Sequence, residues 1–128
     1  MRPLPRGFTL IEQLAVITLV GTASAAALPA LVDLHAHAAD ATLASLAAAA
    51  GSAMVLNQAG CLLAQQQPVP GKCHPVRDCS DVGGLLNGDI PAGYAVPAQP
   101  LATEGGRCQL QRLQDGAAVA FHGVATGR

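Results

Sequence analysis

The hydrophobic and polar positions in the first half of the chain predict one long helix. Residues 8–28 are nearly all apolar, which matches the roughly 20 residues that a bilayer-spanning helix needs. Farther along, apolar side chains recur at intervals of three and four, at Leu43, Leu46, Ala50, Ala53 and Met54. That spacing forms one stripe of an amphipathic helix. The pattern predicts a helix over residues 8–64 whose outer half supports a small domain.

Two residues interrupt this helical pattern and a third predicts its end. Pro29 cannot donate a backbone N–H, so we expect a kink or a loosened turn there, and Gly21 adds a weaker flexible point. Pro68 restricts the residue before it. The helix is therefore expected to end near Ala64 or Gln67.

The middle of the chain, residues 65–107, is rich in proline and glycine and is predicted to be mostly loop. One short helix is expected over residues 80–86, with Ser80 or Asp81 as its cap and Gly88 beyond its end. Residues 94–96 are expected to form a short strand before Pro97.

The strongest β pattern is a hairpin formed by residues 107–113 and 118–124. Asp115 and Gly116 between them favour a two-residue type I′ turn. That turn places Leu110 opposite Phe121, Gln109 opposite His122, and Gln111 opposite Ala120. Alternation puts one set of side chains on an apolar face, namely Cys108, Leu110, Val119 and Phe121. The fold class is therefore α+β, with a long helix packed on a small antiparallel sheet.

Composition limits what the domain can bury and bind. Aromatic residues make up 2% of the 128-residue chain and charged residues 12%, so bulky core side chains are scarce and a small core needs other support. Four cysteines can supply it. The formal net charge is -1 and no basic patch is evident, which argues against binding to nucleic acid.

Charge also predicts how the apolar segment crosses a membrane. Arg2 and Arg6 precede it, which places the amino terminus in the cytoplasm and the rest of the chain outside, where disulfides persist. Within the segment, Glu12 is the exception, because a carboxylate at the centre of a membrane span costs roughly 2.5–3.5 kcal/mol. We therefore expect Glu12 to meet a charge on another copy of this helix.

Residues 6–12 read RGFTLIE, and at this motif the chain resembles the type IV pilin family, which includes the pseudopilins of type II secretion. The resemblance implies that prepilin peptidase cleaves between Gly7 and Phe8 and that Phe8 is then N-methylated. It implies that Glu12 is required for subunit assembly and that Pro29 kinks the helix. The remainder resembles mannose-sensitive-haemagglutinin-type pilins more loosely, through its cysteine layout and residues 89–94, which read DIPAGY.

The resemblance implies a type IV pilin fold with a leader at residues 1–7, an assembly helix at 8–29 and a head at 30–128. It implies a structural subunit that begins as a single-pass inner-membrane precursor with a periplasmic head and then enters an extracellular filament. The implied partners are other pilins in a homopolymer or copolymer, prepilin peptidase and the inner-membrane assembly machinery.

Two alternatives remain open at this point. One is a pseudopilin of a type II secretion system, although the cysteines and Pro29 favour a pilus subunit. Major pseudopilins usually stabilise the head with calcium, and here Asp78, Asp81 and Asp89 are more typical of turn caps. The other is a soluble secreted domain that begins at Ala26, because residues 23–25 read ASA and resemble a signal-peptidase site.

The remaining candidate chemistry centres on the cysteines. Four cysteines allow three disulfide pairings, and we favour Cys61 with Cys73 and Cys79 with Cys108. A zinc site that combines Cys73 with His74 is the rival interpretation. His35 and His37 point about 200° apart on a helix and cannot share a metal. The sequence predicts no metal, no cofactor and no enzymatic activity.

Overall fold

The computed structural model describes Gly7 and residues 9–128. Its longest element is α1, Leu10–Leu63, and the helix continues through Gly21 and Pro29. It ends because the next residues leave the helical region: Gln65 and Gln66 have φ angles of 53° and 61°. The predicted helix is confirmed, with an end close to the expected one. The kink at Pro29 stays a prediction.

Contacts divide the chain into two compact units, Met1–Ala39 and Asp40–Arg128. In the described part of the first unit, the large apolar side chains of α1 are exposed. The second unit contains the rest of α1 and every other element. We refer to this second unit as the head.

The head contains a short 3-10 helix, Cys79–Leu85, and a three-stranded antiparallel sheet in the order β1-β2-β3. The strands are β1, Tyr94–Ala95; β2, Gly106–Arg112; and β3, Ala118–Gly123. The α+β class, with a long helix packed on a small antiparallel sheet, is confirmed.

The helix packs on the sheet through a stripe of small and medium side chains. Leu43, Ala47, Ala50, Met54 and Cys61 are buried at intervals of four, three, four and seven, which places them on one face of α1. The wider core joins this face to the 3-10 helix and the sheet, and its remaining members are Val76, Cys79, Val82, Val96, Cys108, Leu110 and Phe121. The predicted stripe was right at Leu43, Ala50 and Met54, whereas Leu46 and Ala53 lie at its half-buried edge.

Two glycines allow other segments to approach α1 closely. A Cβ atom built on Gly51 would lie 3.6 Å from Cβ of Phe121 in β3. A Cβ atom on Gly60 would collide with the backbone carbonyl oxygen of Lys72. Glycine lowers helix stability. Because these two positions have no side chain, the sheet and the loop after α1 can lie directly against the helix.

The hairpin forms, but its predicted register was wrong. Cys108 lies opposite Phe121 and Leu110 opposite Val119, a shift of two residues from the expected pairing. The turn is longer than two residues, because Arg112 and Ala117 are the last paired residues: the Arg112 N–H donates to the Ala117 carbonyl at 2.8 Å, and the Gly116 N–H donates to the Arg112 carbonyl at 2.9 Å. Since side chains alternate with a period of two, this shift keeps the predicted apolar face. Cys108, Leu110 and Phe121 are buried and Val119 is half-buried.

The short helix after the loop also differs in detail from the prediction. It is a 3-10 helix whose N-cap is Asp78, and neither Ser80 nor Asp81 fills that position. The Asp78 carboxylate accepts from the Ser80 N–H at 2.9 Å, while the Asp81 carboxylate accepts from the Asp78 N–H at 3.0 Å. This reciprocal pair is a capping box, and it begins the helix one residue earlier than expected.

Candidate functional site

The first turn of α1 contains the residue on which the assembly hypothesis depends. The Thr9 N–H donates to a carboxylate oxygen of Glu12 at 2.9 Å, and the Glu12 N–H donates to the Thr9 hydroxyl at 3.3 Å. Thr9 and Glu12 therefore form a capping box. The sequence contains the signature of this capping box, Thr-x-x-Glu before an apolar run. The interpretation of Glu12 as an intermolecular partner overlooked this local role.

The other predicted processing residues lie at the edge of the described chain. Gly7 is exposed and precedes α1, whereas Phe8 lies outside the described residues. Cleavage after Gly7 and methylation of Phe8 stay predictions.

The capping box gives Glu12 a hydrogen-bond donor within its own helix. A carboxylate near the positive end of a helix dipole is also stabilised there.

The hydroxyl groups in the apolar part of α1 bond to the helix's own backbone. The hydroxyls of Thr18, Thr22 and Ser24 donate to backbone carbonyls four residues earlier, at 2.8, 3.0 and 2.7 Å. Its large apolar side chains are exposed along the whole stretch, which begins at Leu10 (86% exposed) and ends at Leu34 (64% exposed). In hydrocarbon, polar groups must find partners within the protein. This stretch is long and apolar enough to span a membrane.

The structure forms two disulfides, Cys61 with Cys73 and Cys79 with Cys108, which is the pairing favoured from the sequence. The first joins the last turns of α1 to the following loop across a Cα–Cα distance of 4.4 Å. The second joins the 3-10 helix to β2 across 5.5 Å. All four cysteines are buried. A zinc site that uses Cys73 is therefore excluded.

Asn57 links three segments of the head, and sequence reasoning gave no sign of it. Its amide donates to the His74 carbonyl at 2.8 Å and to the Thr126 hydroxyl at 2.9 Å, and its side-chain oxygen accepts from the His74 N–H at 2.8 Å. The Thr126 hydroxyl is itself close to the His74 carbonyl, at 3.2 Å. This network holds the last residues of the chain and the loop against α1, beside the first disulfide.

Arg112 connects the hairpin to Asp40, the residue of α1 at which the head begins. Its guanidinium donates to a carboxylate oxygen of Asp40 at 2.9 Å and to Asp115 at 2.6 Å. The side chain of Arg112 is only 13% exposed, whereas those of Asp40 and Asp115 are 69% and 49% exposed. Hydrogen bonding to Arg112 lowers the pKa of Asp115 to about 2, and the pKa of Arg112 is raised by its bonds to Asp115 and then Asp40.

The acidic residues considered for calcium form turn and cap hydrogen bonds. Bonds from the Ser80 backbone and hydroxyl lower the pKa of Asp78, Asp81 caps the same helix, and the Asp89 carboxylate accepts from the Ile90 N–H at 2.7 Å. Over Gly7 and residues 9–128, no three His, Cys, Asp or Glu side chains converge as metal ligands would.

Comparison with protein-family models, with curated proteins and with solved structures finds no match to this chain. The arrangement of elements nevertheless resembles a pilin-like fold: a long apolar N-terminal helix continues onto a small antiparallel sheet. The likeness lies in the architecture alone.

Proposed function

We propose that this protein is a structural subunit of a type IV pilus-like filament, assembled through the apolar part of α1. The observation that carries the proposal is the placement of Glu12. It is the only charged residue from Leu10 to Val32, and it lies in the first turn of a helix whose large apolar side chains are exposed. A lone carboxylate on such a surface is costly in lipid, so a partner charge would stabilise it strongly.

In the proposed mechanism, prepilin peptidase removes residues 1–7 of the membrane-inserted precursor and methylates Phe8. The new amino terminus carries a positive charge. Glu12 of one subunit then pairs with the amino terminus of its neighbour, which sets the axial register between the two helices. The exposed apolar side chains of α1 pack together as the filament core, and small residues such as Gly21 and Ala25 allow close helix approach.

The head supports this function through its covalent and hydrogen-bonded links. Two disulfides and the Asn57 network connect the loops to α1, so a domain poor in aromatic side chains can persist outside the cell. Extracellular conditions keep such disulfides oxidised. The outer surface of the filament would consist of these heads.

The experiment compares three full-length variants in cells that assemble the filament: Glu12→Gln, Glu12→Gln combined with Gln13→Glu, and Thr9→Val. The double variant keeps the net charge but moves the carboxylate about 100° around the helix. Thr9→Val removes the hydroxyl acceptor of the capping box and keeps the carboxylate. The quantity measured is the protein recovered from sheared cell-surface material.

If Glu12 pairs with the amino terminus of a neighbouring subunit, both variants that lack Glu12 should lose surface filaments, because breaking a buried ion pair costs about 3–5 kcal/mol. Thr9→Val should keep most of them, because loss of a cap costs only about 0.5–2 kcal/mol. Normal surface recovery of the Glu12→Gln variant would overturn the proposal. An equal loss for Thr9→Val and Glu12→Gln would assign Glu12 to helix capping alone.

A further inference from the structure

The exposed large apolar side chains of the head lie at its two ends. One is Leu113, 63% exposed, in the turn between β2 and β3. The others surround the last turns of α1 and the loop after it, and they are Val55, Leu56, Leu62, Leu63 and Val69. This separation suggests two complementary contact surfaces on one molecule.

The turn presents Leu113 in a fixed position, and we call Leu113 and Gln114 the hairpin tip. The Leu113 N–H donates to the Gly93 carbonyl at 2.8 Å. The preceding residue, Arg112, is anchored to Asp40 on α1 and to Asp115 across the turn. Leu113 is therefore an exposed apolar side chain on a backbone that is held on both sides, so little conformational entropy is lost when it binds.

The other end of the head carries a groove between α1 and the loop that follows it. Two cavities of about 380 and 290 Å³ share Val69 and Lys72 among their lining residues. Leu56 lines one cavity and Leu63 the other. We call this surface the distal groove. Its loop wall is held by the Cys61–Cys73 disulfide, so the groove is largely formed before any partner arrives.

The tip and the groove face different stretches of the same helix. The tip is tied to Asp40, whereas Leu56 of the same helix lines the groove. Sixteen residues of helix separate those positions, which corresponds to about 24 Å. A projection at one end and a groove at the other cannot satisfy each other within one molecule. Between copies, a projection and a groove of this kind match as a head-to-tail contact, which builds an open fibre when the rotation between copies does not close a ring.

Charge favours the same pairing. The cluster of Arg112, Asp40 and Asp115 next to the tip has one more negative than positive charge. Among the described residues that line the distal groove, Lys72 is the only Lys, Arg, Asp or Glu. An excess carboxylate beside Leu113 would therefore approach an ammonium group at the groove. Charges of opposite sign at such a contact fix its register and orientation.

We propose that Leu113 of one copy inserts into the distal groove of the next copy, between Leu56 and Val69. This contact rests on the proposed filament function and specifies which surfaces of neighbouring heads meet. The area of one side chain in one groove is small, so the contact depends on assembly of the helices for its effective concentration.

A cysteine pair tests the contact in assembled filaments of the full-length chain. The native cysteines are all in disulfides, so a short bismaleimide reacts only with introduced thiols. A chain with Leu113→Cys and Leu56→Cys should give a ladder of dimers, trimers and longer products. The matched control combines Leu113→Cys with Val55→Cys, because Val55 is also exposed, at 53%, but points about 100° away from Leu56 on α1. The control should give no ladder.

Equal yields from both pairs would overturn the proposal, as would dimers from Leu113→Cys alone, which would mean that the tip meets its own counterpart. Filaments that form normally but give no Leu113→Cys to Leu56→Cys product would refute this contact and leave the proposed function standing. Absence of filaments for the unaltered chain would refute the proposed function itself.

A second measurement retains both leucines. Lys72 is the only lysine in the chain, so carbodiimide treatment of filaments built from a Gln114→Glu variant should join residue 114 to Lys72 of another copy, as identified by peptide mapping. A separate check uses the cysteine-pair chain: adding Lys72→Glu to Leu113→Cys and Leu56→Cys should lower the ladder yield about two- to fivefold, as for an exposed charge pair. A map without any product between residue 114 or Asp115 and Lys72 would contradict the proposal.

Discussion

The two parts of α1 share one secondary structure but have different surroundings. From Leu10 to Leu34 the large apolar side chains are exposed, and the polar hydroxyls bond to the helix's own backbone. From Leu43 to Cys61 a narrow stripe of mostly small residues is buried against the sheet and loops. The first part suits a nonaqueous environment or other helices, whereas the second is the core of a small folded domain. Stability should therefore depend on the second part and assembly on the first.

The largest expected effect is on the disulfides of the head. Replacing Cys79 and Cys108 together with alanine opens a loop of 29 residues in sequence separation, which should destabilise the head by about 3–4 kcal/mol. The Cys61 and Cys73 double variant, with a separation of 12, should cost about 3 kcal/mol. Urea unfolding of detergent-solubilised full-length protein, followed by proteolysis of the head, measures both. Unchanged midpoints in both variants would show that the head does not depend on these bonds.

A matched leucine pair compares the two parts of the helix directly. Leu43 is 3% exposed and Leu19 is 68% exposed. Leu43→Ala should destabilise the head by about 2–5 kcal/mol, because it leaves a cavity in the core. Leu19→Ala should leave the unfolding midpoint of the head unchanged and act only on filament yield. The comparison fails if Leu19→Ala destabilises the head as strongly as Leu43→Ala.

Removal of the Asn57 side chain tests the polar link near the end of α1. Asn57→Ala leaves the His74 N–H and the Thr126 hydroxyl short of partners, and it should destabilise the head by about 1–3 kcal/mol. The exposed Asn87 provides the control, and Asn87→Ala should change stability by less than about 0.5 kcal/mol. Hydrogen exchange should also speed up at the His74 amide. Equal effects of the two substitutions would contradict the role assigned to Asn57.

The smallest effect concerns pH and the hairpin turn. The pKa of Asp115 falls from 3.8 to about 2 in the folded head, chiefly because Arg112 donates hydrogen bonds to its carboxylate. A folded pKa below the unfolded value means that this stabilisation is present above pH 4 and is lost as the pH falls toward 2. Asp115→Asn should flatten that part of the acid-unfolding curve. A curve identical to that of the unaltered chain would show that the pair contributes nothing.

Elements with a strong periodic signal could be predicted from the sequence. The apolar intervals of three and four gave α1, and alternation around Asp115 and Gly116 gave the hairpin and its buried face. The register was wrong because Arg112 donates two hydrogen bonds to Asp115, at 2.9 and 2.6 Å, within a longer turn, and no periodicity encodes such a contact. A period-two pattern fixes the face of a strand but leaves a shift of two residues open.

Features that depend on tertiary neighbours could not be predicted from the sequence. Asn57 looks like any polar residue on a helix until His74 and Thr126 surround it. The capping box of Thr9 and Glu12 has a local sequence motif and could have been predicted. We instead predicted an intermolecular role for Glu12, because a charge in lipid is costly. The contacts of Gly60 likewise appear only when the loop with Lys72 lies against α1.

The measurement that tests the central claim most directly is the mass and N-terminal sequence of the protein in sheared cell-surface material. The account predicts a chain that begins with N-methyl-Phe8 and contains four hydrogens fewer than the all-thiol form, as its two disulfides require. A chain that begins with Phe8 but occurs only in the cell envelope would favour a secretion pseudopilus. A chain that begins near Ala26 in the culture medium would contradict the filament account.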